Sequence, residues 1–491
     1  MKLHEIAAAS DVDPLPEVVN STAYADHKGR ILMLGLGSVG QAMLPLVLRH
    51  IHVDPSKITV LELGEHEKLF KERWGSSGVN YIVTRIVKNN LDEVLSEFLG
   101  PGDFLINVSL NIDGIAIVEW CLKHDVMYID TSIERWEDQP DETIPKLAER
   151  TLYYAHEQIR KMAAPYKGKG PTCVITHGAN PGLVSHFTKA ALLDIANAMG
   201  INHDIPDTRD NWADLMRRTG TKVIHIAERD TQVIDVPKVM GEFVNTWSCE
   251  GFWAEGRAPA ELGWGTHEDV MPTEGVAHPE GPKNAIFLKQ PGVATLIKSW
   301  VPLGGCYNGF LVQHSEAITI SEYFTTKDGK FRPTVHYTYL PCDAAVMSVH
   351  EFRGTELKIQ HTKRIAKDEI IGGMDELGVL LMGGDYNAWW YGSQLDVNEA
   401  RQLIPHENAT SLQVVASILG AMVWALKNPR MGMVEPDELP FNEVLEVARP
   451  YLGPMASVQS DWTPIQDRNS LYVHPLDSKN PWGFENFRVW S

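Results

Sequence analysis

Ile31-Leu-Met-Leu-Gly-Leu-Gly-Ser-Val-Gly40 decides how the first half of this chain is read. Four apolar residues run into Gly35, Gly37 and Gly40, and a helix-compatible stretch follows. The next strand candidate, Ile58-Thr-Val-Leu-Glu62, lies about twenty residues on and ends on an acid. Each glycine has a mechanical task. Gly35 permits the tight turn, Gly37 lets backbone approach a pyrophosphate, and Gly40 lets helix and strand pack closely. The helix N-terminus at Ser38 and Val39 then turns its positive end to the phosphates. Glu62 accepts hydrogen bonds from both ribose hydroxyls and repels a 2′-phosphate, which favours NAD over NADP. Three glycines alone are equally an ordinary turn; strand, helix and spaced acid together read as a dinucleotide site. Pro45 removes one backbone bond inside the helix and predicts a kink there.

A chain of 491 residues exceeds one ordinary core, so two or three domains are expected. Hydrophobic residues at 44% and charged residues at 22% are those of a globular enzyme. The 64 acids against 44 basic residues leave a net charge of −20, which argues against a nucleic-acid partner. Such a field attracts cations, although solubility alone is the simpler reading of the charge. Cys121, Cys173, Cys249, Cys306 and Cys342 show no C-x-x-C spacing and read as reduced thiols, with neither disulfides nor a metal site expected. No apolar run is expected to span a membrane. The opening residues Met1 to Ser10 lack a signal-peptide core and are followed by Asp11, so a cytoplasmic location is the default.

From Gly29 to Gly182 strand and helix signals alternate. Strands are expected at Ile31–Leu34, Ile58–Leu61, Tyr81–Val83, Phe104–Val108, Met127–Ile129 and Thr172–Thr176, with helices at Asn89–Leu99 and Ile115–His124. This rhythm predicts an α/β fold with a Rossmann-type, doubly wound parallel sheet, in which ligands sit beyond the carboxyl ends of the strands. Polar residues just past those ends form the expected lining: Asn107, Ser109, Asp130, Thr131, and Asn180 in His177-Gly-Ala-Asn-Pro-Gly182. After about residue 200 the pattern changes to alternating strands at Lys222–Ile226, Val233–Val236, Gly309–His314, Ala317–Ser321, Thr334–Tyr339 and Glu356–His361. These predict a second α+β domain on a mixed or antiparallel sheet. The strongest helix runs from Asn408 to Lys427, with Thr410 or Ser411 as N-cap and Asn428-Pro429 as its stop. It is apolar on most sides and is expected to be buried against the first domain. The resulting division is an N-terminal extension at 1–28 and a Rossmann domain at 29–182, completed by the helix at about 408–428. The inserted substrate and dimerisation domain spans 183–400, and an irregular surface wrap covers 429–491.

The second domain places acids and aromatics where strands are half buried. Glu228 lies just past the apolar run Ile224-His-Ile-Ala, and Trp247, Phe252 and Trp253 alternate with Glu250 and Glu255. Asp375-Glu376 leads into Leu377–Met382. Such a set suits an alkyl diammonium ion, with carboxylates on each ammonium and a Trp face adding about 0.5–2 kcal/mol. Each acid alone is equally well a turn cap or the partner of Arg229 or Arg257. His314 is a candidate proton shuttle, although a lone strand His is more often a core residue.

Taken together, the glycine loop, Gly178-Ala-Asn-Pro-Gly182, Ile224-His-Ile-Ala-Glu-Arg-Asp-Thr-Gln232, Asn245-Thr-Trp-Ser-Cys-Glu-Gly-Phe252, Glu261-Leu-Gly-Trp-Gly-Thr266, Asp375-Glu-Leu-Gly-Val379 and Tyr391-Gly-Ser-Gln394 resemble the bacterial homospermidine synthases. The resemblance runs from about residue 28 to nearly the C-terminus. It implies a saccharopine dehydrogenase-like fold, a homodimer, and conversion of two putrescine molecules into sym-homospermidine and ammonia. Spermidine and other polyamines are implied as further substrates, and NAD as a retained prosthetic group. By motif it implies Trp247 as the cation–π residue, and Glu228, Glu255 and Asp375 as carboxylates of the diamine pocket. Asn180 and His314 then lie beside the reacting carbon, Glu134 stands at the entrance, and Ala179, Asn180 and Pro181 lie along the cofactor. Glu62 stands where Asp occurs in the family, and the ribose role survives that change.

Given that substrate, the chemistry orders itself. One ammonium loses its proton to a base, with Glu228, or His314 through water, expected in that role. Hydride removal leaves an imine, a second diamine displaces ammonia, and the returned hydride reduces the new Schiff base. Two alternatives are a saccharopine- or carboxyspermidine-type imine reductase, which needs cations for an α-carboxylate, and a non-catalytic NAD-binding sensor.

Overall fold

A computed structural model describes residues 22–139, 143–468, 471, 473 and 475–489. Strands Ile31–Leu34, Ile58–Glu62, Asn80–Val83, Phe104–Asn107, Met127–Asp130 and Cys173–Val174 form one parallel sheet. Numbered along the chain, its spatial order is 3-2-1-4-5-6, the doubly wound order expected. Ile31–Leu34, Phe104–Asn107 and Met127–Asp130 are buried at every position, because helices cover both faces. The order reverses between Ile31–Leu34 and Phe104–Asn107, so a crevice opens at the glycine loop. Helix Ser38–His50 follows that loop and runs unbroken through Pro45.

A ten-stranded mixed sheet forms the second layer. At its centre Thr221–Asp230 pairs in parallel with Thr334–Leu340 and antiparallel with Met374–Gly383. Helix Ala409–Lys427 packs on the glycine-loop helix and contacts both sheets. By length and hydropathy it could cross a membrane, contrary to the expectation that no apolar run would. Instead 89% of its apolar window is buried in protein. Its polar side chains are paired there: Gln413 donates to the Asp375 carbonyl and Ser393 Oγ, and Ser417 bonds His177.

Several expectations need correction. The N-cap is Asn408, whose side chain accepts from the Ser411 amide at 2.8 Å; Thr410 lies inside the helix and spends its hydroxyl elsewhere. Ala317–Ser321 belongs to helix Ser315–Tyr323, whose residues 315–321 are all buried, so no amphipathic period marked it. The strand expected to reach His314 is Gly305–Phe310, and His314 caps the following helix. Glu356–His361 is a turn preceding strand Thr362–Ile365. The C-terminal segment is not only a wrap. Met433–Val434 adds a seventh strand to the parallel sheet, Phe441–Ala448 is a helix, and Met455–Ser460 pairs with Asn387–Asp396. Of the expected extension, residues 1–21 lie outside the described residues, and Ala25–Asp26 pairs in parallel with Ile51–His52.

A Cβ on Gly40 would lie 2.5 Å from the Gly35 carbonyl oxygen, and both atoms belong to backbone. Gly40→Ala is therefore expected to destabilise the fold by about 1–3 kcal/mol, measured by denaturant unfolding, with loss of bound dinucleotide. An unchanged midpoint and cofactor content would show that the loop relaxes freely.

Candidate active site

A cavity of about 1480 Å³ lies between the carboxyl ends of the parallel strands and the mixed sheet. Gly35 turns the chain at φ +92°, and a Cβ there would meet the Val108 carbonyl oxygen at 2.8 Å. A Cβ on Gly37 would meet nothing within 4 Å, so the space over that residue is open. Gly37 caps the helix, and no side chain fills the cap position. The first-turn amides therefore face an open crevice with their positive partial charge. At the end of the neighbouring strand, Glu62 accepts from the Gly64 amide at 2.5 Å, from Tyr81 at 2.8 Å and from His66 at 3.2 Å. Burial opposes its charge, but these donors hold its pKa below the usual glutamate value. A fixed carboxylate at the ribose position and an uncapped helix end over Gly37 fit NAD. Glu62, Glu65 and His66 also bring ligand atoms within 4.8 Å of one another. The donors already on Glu62 mark it as a hydrogen-bond acceptor.

Opposite the crevice, the mixed sheet supplies the acids. Glu228, near the end of Thr221–Asp230, receives Asn180 Nδ2 at 2.6 Å and the Tyr337 hydroxyl at 2.5 Å, both on Oε2. Glu228 also lines the cavity. Burial pushes its pKa up to about 7, against the two donors. His314 bonds Glu255 Oε2 through Nε2 at 3.1 Å and Glu316 Oε1 through Nδ1 at 3.2 Å. Burial opposes a charged ring, but the flanking acids override it and raise its pKa to about 10. The two carboxylates on its ring nitrogens thus favour the charged ring. Trp247 is stacked on Phe252 with centroids 5.5 Å apart, and its Nε1 donates to Tyr339 at 3.0 Å. One face is covered by Phe252, while the residue itself lines the cavity.

The cavity brings together Gly35, Gly37, Ser38, Val39, Glu62, Ser109, Thr131, Glu134, Ala179, Asn180, Pro181, Glu228, Trp247, Glu255 and His314. Four expected residues stand behind its wall. Gly40 serves packing, as the sequence reading had it. Asn107 is buried and carries Ser109 on its Oδ1. Asp130, also buried, takes the Tyr128 hydroxyl and the Thr176 amide, which locks two adjacent strands. Asp375 is fully buried because the sheet register sets it opposite Asp230, facing the core helix. Thr410, which does line the cavity, donates to Asp375 Oδ2 at 2.6 Å. Sequence reasoning missed Tyr337, Glu316 and Asp230. Tyr337 and Tyr339 share one face of a strand at i and i+2, and Glu316 stands two residues beyond His314, so both signals were present.

Two family descriptions match the chain: "Saccharopine dehydrogenase NADP binding domain" over residues 31–174 and "Saccharopine dehydrogenase C-terminal domain" over residues 178–460. A homospermidine synthase of Mesorhizobium japonicum is 44% identical over 481 residues, covering 96% of this chain and 98% of that protein. One of Blastochloris viridis is 42% identical, covering 94% and 97%. The crystal structure of the Legionella pneumophila homospermidine synthase in complex with NAD superposes with a TM-score of 0.87 at 41% identity, covering 94% of this chain and 98% of that one.

The charge of Glu62 disfavours a 2′-phosphate despite the NADP in the domain's description. Glu62→Ser is expected to shift the NADP/NAD affinity ratio towards NADP by about tenfold or more, read by calorimetry on cofactor-stripped protein. An unchanged ratio would remove Glu62 from cofactor selection.

Proposed function

The chain belongs to the homospermidine synthase family and is an NAD enzyme of that type, and we propose that its cavity joins two putrescine molecules into sym-homospermidine with release of ammonia. The supporting observation is the acid set around Tyr337. Glu228 lines the cavity with both of its hydrogen-bond donors on Oε2, and His314 is held between Glu255 and Glu316. An α-carboxylate placed beside Glu228 would face Glu255 and Glu316 as well, so this acid set disfavours the imine-reductase reading. When bound, NAD supplies a hydride acceptor and later returns the same hydride.

Glu228 Oε1 takes the proton from one ammonium, because an ammonium nitrogen cannot support hydride loss from its carbon. Asn180 and Tyr337 keep the carboxylate pointed for that transfer. Trp247 offers its uncovered face to a cationic nitrogen. Glu255 and the His314 imidazolium stand where the departing and arriving amines exchange, and Glu134 pairs with ammonium groups at the rim. Asp375 acts through its field on Glu228 and not by contact. Water at the imine would hydrolyse it to an aldehyde, so this reading requires the loaded cavity to keep water from that carbon. Spermidine use, the homodimer and a cytoplasmic location belong to the same proposal and rest on the resemblance.

Incubating the holoenzyme with putrescine is expected to give homospermidine and ammonia without net NADH; stoichiometric NADH with aminobutanal would sink the reading. Glu228 must be ionised to accept a proton, so turnover is expected to fall as pH is lowered through about 7. Glu228→Gln should cut kcat by about 10²-fold or more. Trp247→Ala should raise the apparent putrescine KM or lower kcat about tenfold, with Trp247→Phe intermediate; wild-type kinetics in both variants would exclude the cation–π contact.

A further inference from the structure

Tyr337 touches both titrating groups of the site. Its hydroxyl donates to Glu228 Oε2 at 2.5 Å, and its ring lies against His314, with centroids 4.1 Å apart and planes tilted by 43°. The other neighbour of the ring is Tyr339, stacked at 5.3 Å with 12° between planes. Tyr339 in turn accepts from Trp247 Nε1. Sheet register fixes this arrangement: Tyr337 sits beside Ile226 and Tyr339 beside Glu228 on the parallel neighbouring strand. The Tyr337 side chain is about 2% exposed, so it has no freedom to swing away.

We propose that Tyr337 is a positioning residue for diamine oxidation: its hydroxyl pins one Glu228 oxygen and leaves the other to the substrate, while its ring separates that carboxylate from the His314 ring. The second task follows from charge. Glu228 and His314 attract one another, and direct contact would bind the carboxylate in an ion pair and remove it as a base. An aromatic ring between them accepts the imidazolium on its face and is itself no proton acceptor. His314 stays directed to Glu255 and Glu316, and Glu228 stays available. The first task is electrostatic as well, since a donor on Oε2 favours the charged carboxylate. The inference rests on Glu228 being the base.

The test compares pH profiles of kcat/KM for the NAD-loaded enzyme with putrescine. Tyr337→Phe keeps the ring and loses the donor, so its acid limb is expected about one pH unit more alkaline, with kcat reduced at pH 7 and recovered at higher pH. Tyr337→Leu also loses the ring, and its kcat is expected to fall about tenfold further without recovery at high pH. Trifluorotyrosine incorporated at position 337 is a stronger donor and should move the acid limb the opposite way. It keeps the side chain's shape, so it reads the effect even if the other variants fold poorly. A limb that stays in place in both Tyr337→Phe and the fluorinated protein overturns the proposal. Glu228→Gln is the control for the premise: wild-type turnover in it overturns the base assignment and the Tyr337 role with it, whereas an inactive Glu228→Gln beside an unmoved acid limb overturns the Tyr337 role alone.

Discussion

Carboxylates are costly to take out of water, yet Glu228, Asp230, Asp375 and Glu316 are buried together and Glu255 stands at their edge. An isolated ionised carboxylate in such surroundings takes up a proton unless a donor or cation holds its charge. His314 neutralises part of the charge between Glu255 and Glu316. Burial raises the pKa of Glu228, Asp230 and Asp375, and repulsion from neighbouring acids adds to it. What charge remains finds its counterion in the substrate. On the proposed reading, a diammonium ion entering this end recovers electrostatic energy by pairing with these acids.

Holding the acids also holds the architecture. Each donor to them comes from a different part of the chain: Asn180 from the loop beyond the parallel sheet, Tyr337 from an adjacent strand, Thr246 from the segment before Trp247, and Thr410 from the core helix. Asn408 does two tasks at this junction. Its Oδ1 caps the core helix at Ser411, and its Nδ2 donates to the Thr246 carbonyl at 2.6 Å. The Trp247 loop is thereby tied to the same helix that packs on the glycine-loop helix. Cofactor crevice and acid pocket are fixed relative to each other through one buried element, which is the geometry hydride transfer in both directions requires.

The first sheet was legible because its signals are local. A four-residue apolar strand, a glycine turn and a spaced acid need only their neighbours to be read, and the expected strands from Ile31 to Val174 formed the expected doubly wound parallel sheet. The second layer was less legible where burial is complete. Helix Ser315–Tyr323 has no exposed side over residues 315–321, so its Ile and Thr residues imitated a strand. Within the site, Glu228, Trp247, Glu255 and His314 stood out by residue type beside apolar runs. Asp375 stood out for the same reason, but its depth depends on pairing register, which distant strands set. Tyr337 and Tyr339 mark a shared strand face in the sequence, but only the fold sets Tyr337 against Glu228 and His314.

Acid and base roles follow from how far the surroundings push the two titrating groups apart. His314, near 10, stays charged across the neutral range, whereas Glu228, near 7, is poised between forms. The stability linkage has a definite sign for both. His314 is raised above its unfolded value of about 6.5, so its contribution is full below that pH and is lost as pH rises through about 10. Glu228 is also raised, so the folded state binds the extra proton, and stability declines as pH rises from about 4.5 towards 7. Both groups make the empty pocket less stable in the range where Glu228 becomes a competent base. A bound diamine offsets that loss through its own charge. On the proposed reading catalytic readiness and cation binding are linked, because ionising Glu228 to make it a base also adds the negative charge that a bound dication offsets.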